Sequence, residues 1–260
     1  MSEIVGEWNL SPIISLRPFY VNGIPYYLWL EFTQKLTHGP PYVTVDIEID
    51  EKEWIEEIEY ETEFGDLALI VEYYLDHTLL SSRLSILQTK KEKKPDQTEI
   101  SLHQLYLMQF WPSVRFDNQT FVFNNVAPED FSFYHFILST SKPANCSSTM
   151  CSSPLVYTRL GLTKALLVKQ LRNWDSQRKS SRAKPKVPSL PFNGLLPGSV
   201  DANSRGDIWS MVPKPFSRFL SEAAYLFVGT PNEVIRELAE SRFHNILYLK
   251  ARASREKRPE

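Results

Sequence analysis

The feature that most restricts the fold of this chain is a pair of apolar runs joined by a short connection. Gly65-Asp66 heads the first run, Leu67 to Tyr74, and Asp76-His77-Thr78 has the composition of a turn. Leu84 to Leu87 is apolar again and continues into Gln88-Thr89-Lys90-Lys91-Glu92-Lys93-Lys94. Short apolar runs bounded by turn residues read as strands, and a brief link between them reads as an antiparallel pair. Side chains two residues apart on a strand face the same way. Gln88 and Lys90 therefore share a face, with Thr89 on the other. With the strand led by Asp66 alongside, a carboxylate, an amide oxygen and an ammonium converge at one sheet edge.

The flanking sequence supplies more elements. Val43, Val45, Ile47 and Ile49 alternate with Thr44, Asp46 and Glu48, which predicts a half-buried strand over Tyr42 to Ile49. Tyr26 to Leu36 has no breaker and ends before Gly39-Pro40-Pro41, which predicts a short helix. Asp50 to Glu63 is acidic, with Trp54, Ile55 and Ile58 at helical spacing, and Trp8 to Tyr20 reads as extended. Leu102, Leu105, Leu107 and Met108 form a helical stripe within Ile100 to Phe110, with Ser101 as a cap and Trp111-Pro112 as the stop. Thr120 to Asn124, Phe133 to Leu138 and Pro154 to Thr158 read as strands, Ser139 to Ser153 as a loop, and Leu160 to Trp174 as a helix. Ser176 to Gly206 is rich in Ser, Pro, Gly and basic residues. Beyond it, Pro215 to Phe227 and Asn232 to Ser241 read as helices, His244 to Leu249 as a strand, and Ala251 to Glu260 as a fraying tail. The expected architecture is α+β, a central mixed β-sheet flanked by helices. A main domain over 1–175, a linker over 176–206 and a small C-terminal extension over 207–260 are expected.

A chain of 260 residues with 42% hydrophobic content can bury one large core or two small ones. The net charge of -2 exerts no global pull toward nucleic acid, but charge is locally segregated. The acidic stretch Asp50 to Glu63 is followed by the basic stretch Arg83 to Lys94. A second basic stretch, Lys164, Lys169, Arg172, Arg178, Lys179, Arg182, Lys184 and Lys186, surrounds Trp174. Basic residues around an aromatic suit nucleic-acid backbone contact; a solvated helix end followed by a linker accounts for them equally well. Phe110, Trp111, Phe116, Phe121, Phe123, Phe131, Phe133, Tyr134 and Phe136 fit a buried core or a stacking platform. His103 and His135 lie among apolar residues and are expected to be buried and hydrogen-bonded, not to act as ligands.

Cys146 and Cys151 are spaced too widely for a CxxC redox or zinc motif, and no further Cys or His pair completes a zinc site. The opening Met-Ser-Glu-Ile-Val-Gly-Glu lacks the basic and apolar regions of a secretory leader. No apolar run reaches the roughly 18 residues of a membrane span. A soluble cytoplasmic protein with reduced thiols is expected, without a membrane partner. GxSxG, HExxH, P-loop and GxGxxG sequences are absent, which argues against the standard forms of the enzymes that use them.

The chemistry available at the strand pair is specific. Asp66 can bind a hard cation such as Mg²⁺, Gln88 can add a neutral oxygen, and Lys90 can orient water or balance transition-state charge. An Asp at a strand start, then a strand ending in Gln, any residue and Lys, resembles the PD-(D/E)xK nuclease superfamily, and the Gln form resembles its Mrr-like restriction branch. The resemblance covers roughly Tyr26 to Phe123. It implies a restriction-endonuclease-like core, with a helix before the sheet and a second helix, Ile100 to Phe110, after the Lys strand. It implies Asp66 and Gln88 as ligands of Mg²⁺ or Mn²⁺ and Lys90 as the catalytic lysine. Members also carry an upstream Glu. Glu63 is nearer in the chain, whereas Glu31 lies on the expected first helix. The implied activity is metal-dependent hydrolysis of DNA, in a restriction or phage-defence setting. Gln in place of an acid removes one metal-binding charge. A non-catalytic interaction or scaffold protein on the same sheet therefore stays open, as does a homodimer or a partner protein.

Overall fold

The computed structural model describes residues 3–9, 14–15, 19–21, 24–38, 42–51, 54–92, 97–116, 118–124, 126–138, 147–192, 233–243 and 245–256. In chain order the elements are β1 (Glu3–Asn9), β2 (Ile14–Ser15), β3 (Phe19–Val21), β4 (Ile24–His38), β5 (Tyr42–Glu51), β6 (Trp54–Glu63), β7 (Leu67–Leu75), β8 (Thr78–Lys91) and β9 (Thr98–Ser101). Then come α1 (Leu102–Phe110), β10 (Val114–Phe116), β11 (Gln119–Phe121), α2 (Pro128–Phe131), β12 (Ser132–Leu138) and β13 (Ser147–Ser152). The last are α3 (Ser153–Arg159), α4 (Lys164–Ser180), β14 (Ser189–Phe192), α5 (Glu233–Arg242) and β15 (Asn245–Ser254).

The main sheet runs β1-β4-β15-β7-β8-β12-β13 and is mixed. The expected hairpin forms its middle: β7 and β8 are antiparallel, from Leu67 opposite Leu87 to Leu75 opposite Thr78. Asp76 makes the turn with φ 52, a left-handed conformation that Asp tolerates better than most residues. β12 lies parallel to β8, with Tyr134 opposite Gln88 and Phe136 opposite Lys90. A second sheet runs β11-β10-β5-β6, and β9 pairs with β14 in a third. The α+β class with a mixed central sheet is therefore as expected. Among the described residues no helix is long and apolar enough to cross a membrane.

Several local expectations are corrected. Tyr26 to Leu36 is not a helix but part of β4, paired with β15 from Asn245–Leu36 to Ser254–Tyr27. Its Tyr26, Tyr27, Trp29, Phe32 and Thr33 favour a pleated strand, and neighbours on both sides supply the ladder. Asp50 to Glu63 is not helical either. Ile58, Tyr60 and Thr62 of β6 are buried while Glu57, Glu59 and Glu61 are exposed, a period of two. Pro154 to Thr158 lies in helix α3, where Pro154 occupies the first turn, a position that needs no backbone N–H. The expected loop Ser139 to Ser153 contains β13, held against β12 by pairing from Phe133–Ser152 to Leu138–Ser147.

The expected division into domain, linker and extension also differs. α4 runs through Ser180, and 189–192 pair with β9, so the first part of the linker range is built into the fold. β15 is no appendage. It sits between β4 and β7, parallel to β7 with Ile246 opposite Ala68. The helix expected over Pro215 to Phe227 and Cys146 lie outside the described residues, and Cys151 is a buried free thiol.

The core lies between the main sheet, α1 and the second sheet. Leu102, Leu105, Leu107 and Met108 are at most 1% exposed. The Ser101 hydroxyl accepts the Gln104 N–H as the helix cap, as its sequence position predicts. Most of the aromatic cluster is core: Trp111, Phe121, Phe123, Phe131, Tyr134 and Phe136 are all buried. Trp111 closes α1 with φ 44, pinned by its own N–H on the Leu107 carbonyl and its indole N–H on the Met108 carbonyl. His103 and His135 are buried, but both ring nitrogens of His103 lack a hydrogen-bond partner among the described residues.

Candidate functional site

The site forms where β6 ends, beside the end of β8 and the first turn of α1. Phe64, fully buried, packs edge-on against Trp111 and Phe243 and ties the chain down after Glu63. Gly65 follows with φ 155. A Cβ there would meet Ile86 Cγ2 and Phe243 ring carbons at 2.9 Å, closer than real side-chain carbons pack. The glycine lets the chain turn tightly against the core and delivers Asp66 to the head of β7. The Asp66 N–H donates to the Leu87 carbonyl at 2.9 Å, which fixes Asp66 beside the end of β8.

The side chains then converge. Asp66 Oδ2 accepts the Thr89 backbone N–H at 2.6 Å and the side-chain amide of Gln88. Lys90, on the same face of β8, donates from Nζ to Gln104 Oε1 at 2.7 Å. Gln104 returns its Nε2 to Glu63 Oε2 at 3.0 Å. Two hydrogen-bonded groups, Asp66 with Gln88 and Lys90 with Gln104 and Glu63, thus lie side by side and feel each other's charge. Asp66, Glu63 and Lys90 are half-buried and reachable from solvent, whereas Gln88 is buried, 1% exposed. Its Oε1 has no hydrogen-bond partner among the described residues. A buried amide oxygen left alone costs about 1–3 kcal/mol.

The electrostatics follow from this crowding. Burial raises the Glu63 carboxyl above its ordinary value, and the Asp66 charge adds to the rise. Lys90 and hydrogen bonds from Gln104 and Gln88 pull the other way. Burial lowers the Lys90 ammonium, against the opposing pull of Asp66 and Glu63. Each group is held in a setting that disfavours its own charge, and neighbours of opposite sign only partly compensate.

Of the residues singled out from sequence, Asp66, Gln88, Lys90 and Glu63 come together. Glu31 does not. It lies on β4 opposite Lys250, which in turn faces Glu72 of β7. Asp66 is six residues before Glu72, about 20 Å along the strand at ~3.3 Å per residue. Gln104 was missed in the sequence. Its position in the first turn of a capped helix was legible, but nothing local indicates which way that turn faces. No protein-family profile, curated protein or solved structure matches the chain.

The donor set suits a hard cation. Among the described residues no cluster of three or more His, Cys, Asp and Glu is assembled for a metal. Mg²⁺ does not need one, because it is commonly held by one or two carboxylates together with waters and substrate phosphates. Glu63 and Asp66 could provide the carboxylates, and the unpartnered Gln88 oxygen could add a neutral ligand.

Proposed function

We propose that this protein is a metal-dependent nuclease that hydrolyses DNA phosphodiester bonds, on a restriction-endonuclease-like core of the PD-(D/E)xK kind. One observation carries the reading: Gln88 donates to Asp66 while Gln104 joins Lys90 to Glu63, which gathers two carboxylates, two amides and an ammonium at one edge. Half-burial of carboxylates beside an ammonium is costly for a purely structural surface, and such perturbed groups concentrate at functional sites.

Glu63, Asp66 and the Gln88 carbonyl oxygen would hold Mg²⁺ or Mn²⁺. A cation so held supplies Lewis-acid polarisation of the phosphoryl group and neutralises part of its charge. The hydrolysis adds the oxygen of water to phosphorus, breaks one ester P–O bond, and leaves a phosphate monoester and a hydroxyl. Lys90 brings positive charge to the phosphoryl oxygens, which become more negative as water adds, and its N–H can orient that water. Gln104 fixes the Lys90 ammonium in place from the helix side.

The test is cleavage of supercoiled and linear DNA in Mg²⁺ and Mn²⁺. The parent should cut, and Asp66→Asn and Lys90→Met should each cut at least ~100-fold more slowly, the loss typical of removing one electrostatic stabiliser. Parental cutting rates in both variants would move the chemistry elsewhere. Intact DNA under every metal condition with the parent protein would leave the sheet as a scaffold that binds without cutting.

A further inference from the structure

The second basic stretch is fastened to the candidate site at both ends. Trp174 of α4 packs edge-on against His103, with ring centroids 4.4 Å apart. Fourteen residues later, the Pro188 carbonyl accepts the Leu102 N–H at 2.9 Å, and β14 continues in register with Ser189 opposite Ser101. Leu102 and His103 immediately precede Gln104, the residue that holds Lys90 and Glu63. The stretch between Trp174 and Pro188 is therefore anchored beside the first turn of α1, at the end of that helix that faces the site.

Its cations divide into two sets. Arg172 pairs with Glu56 at 2.6 Å, and Arg178 and Lys179 flank Asp175 at 3.3 and 2.7 Å. Those charges are answered within the protein. Arg182, Lys184 and Lys186 are exposed, and no Asp or Glu occurs between Ser176 and Pro188. Pro185 and Pro188 bias Lys184 and Val187 toward extended backbone, which spreads the cations along a line and keeps them from clustering. From Arg182 to Lys186 such a line spans at most about 13 Å at ~3.3 Å per residue, shortened by the bend at Arg182 and Ala183.

We propose that Arg182, Lys184 and Lys186 are the track that seats the sugar-phosphate backbone of duplex DNA beside the Gln104 side of the site. The proposal rests on the nuclease reading for the meaning of the site, and adds where its substrate lies. A duplex carries one negative charge per about 1.7 Å of axis, so every cation on a 13 Å line meets phosphate. Single strands are typically held by exposed aromatics on which bases stack. Beside the track, Trp174 is engaged at its edge by His103 and over its ring by Arg178, which leaves it poorly placed to stack a base and favours the duplex.

The experiment measures binding of a short labelled duplex in EDTA, by fluorescence anisotropy over a salt series. The variant Arg182→Gln/Lys184→Gln/Lys186→Gln should bind more weakly. Its slope of log affinity against log salt should be shallower than the parent's by about 2.7, at about 0.9 per phosphate contact. Lys164→Gln/Lys169→Gln removes charge near the other end of α1, where Lys164 lies over Phe110 at 5.2 Å. It should change the slope by less than about 1. All five positions are exposed, so unchanged melting temperatures should accompany both results. A triple variant with the parental slope, a control that loses as much, or a parent that prefers a single strand would overturn the track. Failure of the nuclease reading shows separately: the parent then binds duplex with the expected slopes but leaves it uncut in Mg²⁺ and Mn²⁺.

Discussion

The Gln88 amide bears on how Glu63 and Asp66 can share one edge. An acid at that position would add a third negative charge to a half-buried pair. The amide instead donates to Asp66, and its oxygen has no hydrogen-bond partner among the described residues. The charge state of the site is then set by Glu63 and Lys90, and both are shifted toward neutrality. On the proposed nuclease reading, the site works with Glu63 ionised and Lys90 protonated. In the metal-free protein Glu63 should therefore titrate above the usual glutamate range and Lys90 below the usual lysine range, which NMR titration of the side chains checks, and added Mg²⁺ should pull Glu63 back down. The same shift has a consequence for folding. A carboxyl whose folded value is raised binds its proton more tightly in the native state, so its contribution is present at low pH and is lost as pH rises through the folded value. Glu63→Gln should accordingly melt higher than the parent at neutral pH, and the difference should vanish in acid below the unfolded value. Thermal melts across pH check this, and a neutral-pH melting point below the parent's would contradict the assignment of burial as the main cause.

Gln104 acts in the opposite sense. It is 7% exposed, and each end of its amide meets a charged group. Gln104→Leu strands the Lys90 ammonium and a Glu63 oxygen in a half-buried space. The expected loss is about 1–3 kcal/mol in urea unfolding, together with slower cleavage. Equal stability of this variant and the parent would mean that solvent already satisfies both groups.

At the scale of elements, Gly65 is where the backbone and the site meet. A methyl group there has to displace Ile86 or Phe243, both buried, in a conformation that side chains seldom adopt. Gly65→Ala should cost about 1–3 kcal/mol, the usual range for overpacking a core, and should shift Asp66 enough to lower activity. Activity and stability assays on this one variant read both effects, and a silent substitution would show that the turn has slack. The hairpin that follows was legible because each strand announces itself: a continuous apolar run, a turn at Asp76-His77, then Gln88 and Lys90 two apart. α1 was legible for the same reason, through Ser101 and the Leu stripe. β4 and β6 were not. In β6, Ile58, Tyr60 and Thr62 alternate with Glu57, Glu59 and Glu61, but Trp54, Ile55 and Ile58 also fit helical spacing and the glutamates have low strand propensity, so the segment reads both ways until it pairs with β5. Gln104 became visible only once α1 packed beside β6 with its first turn within reach of Lys90.

At the scale of the whole molecule, the last strand decides whether the sheet closes. β15 hydrogen-bonds β4 on one side and β7 on the other, burying Ile246, Leu247 and Leu249. Its anchoring reaches the site through Phe243, which packs on Phe64 and would collide with any side chain at position 65. A sequence-local reading makes this segment an extension because nothing in residues 233–254 indicates two partners lying some two hundred residues upstream. The sheet makes it a central strand, and so its loss should not resemble the trimming of a tail. Leu249→Asp puts a charge where the side chain is 2% exposed, between two strands with no room to turn it outward. Burying an unpaired charge costs several kcal/mol, a large share of the roughly 5–15 kcal/mol that holds a typical domain together. The variant should lose its cooperative unfolding transition and its cleavage activity together. A Leu249→Asp protein that melts cooperatively near the parent temperature would mean that β7 and β8, with the site between them, stand without the strand that joins them to β4.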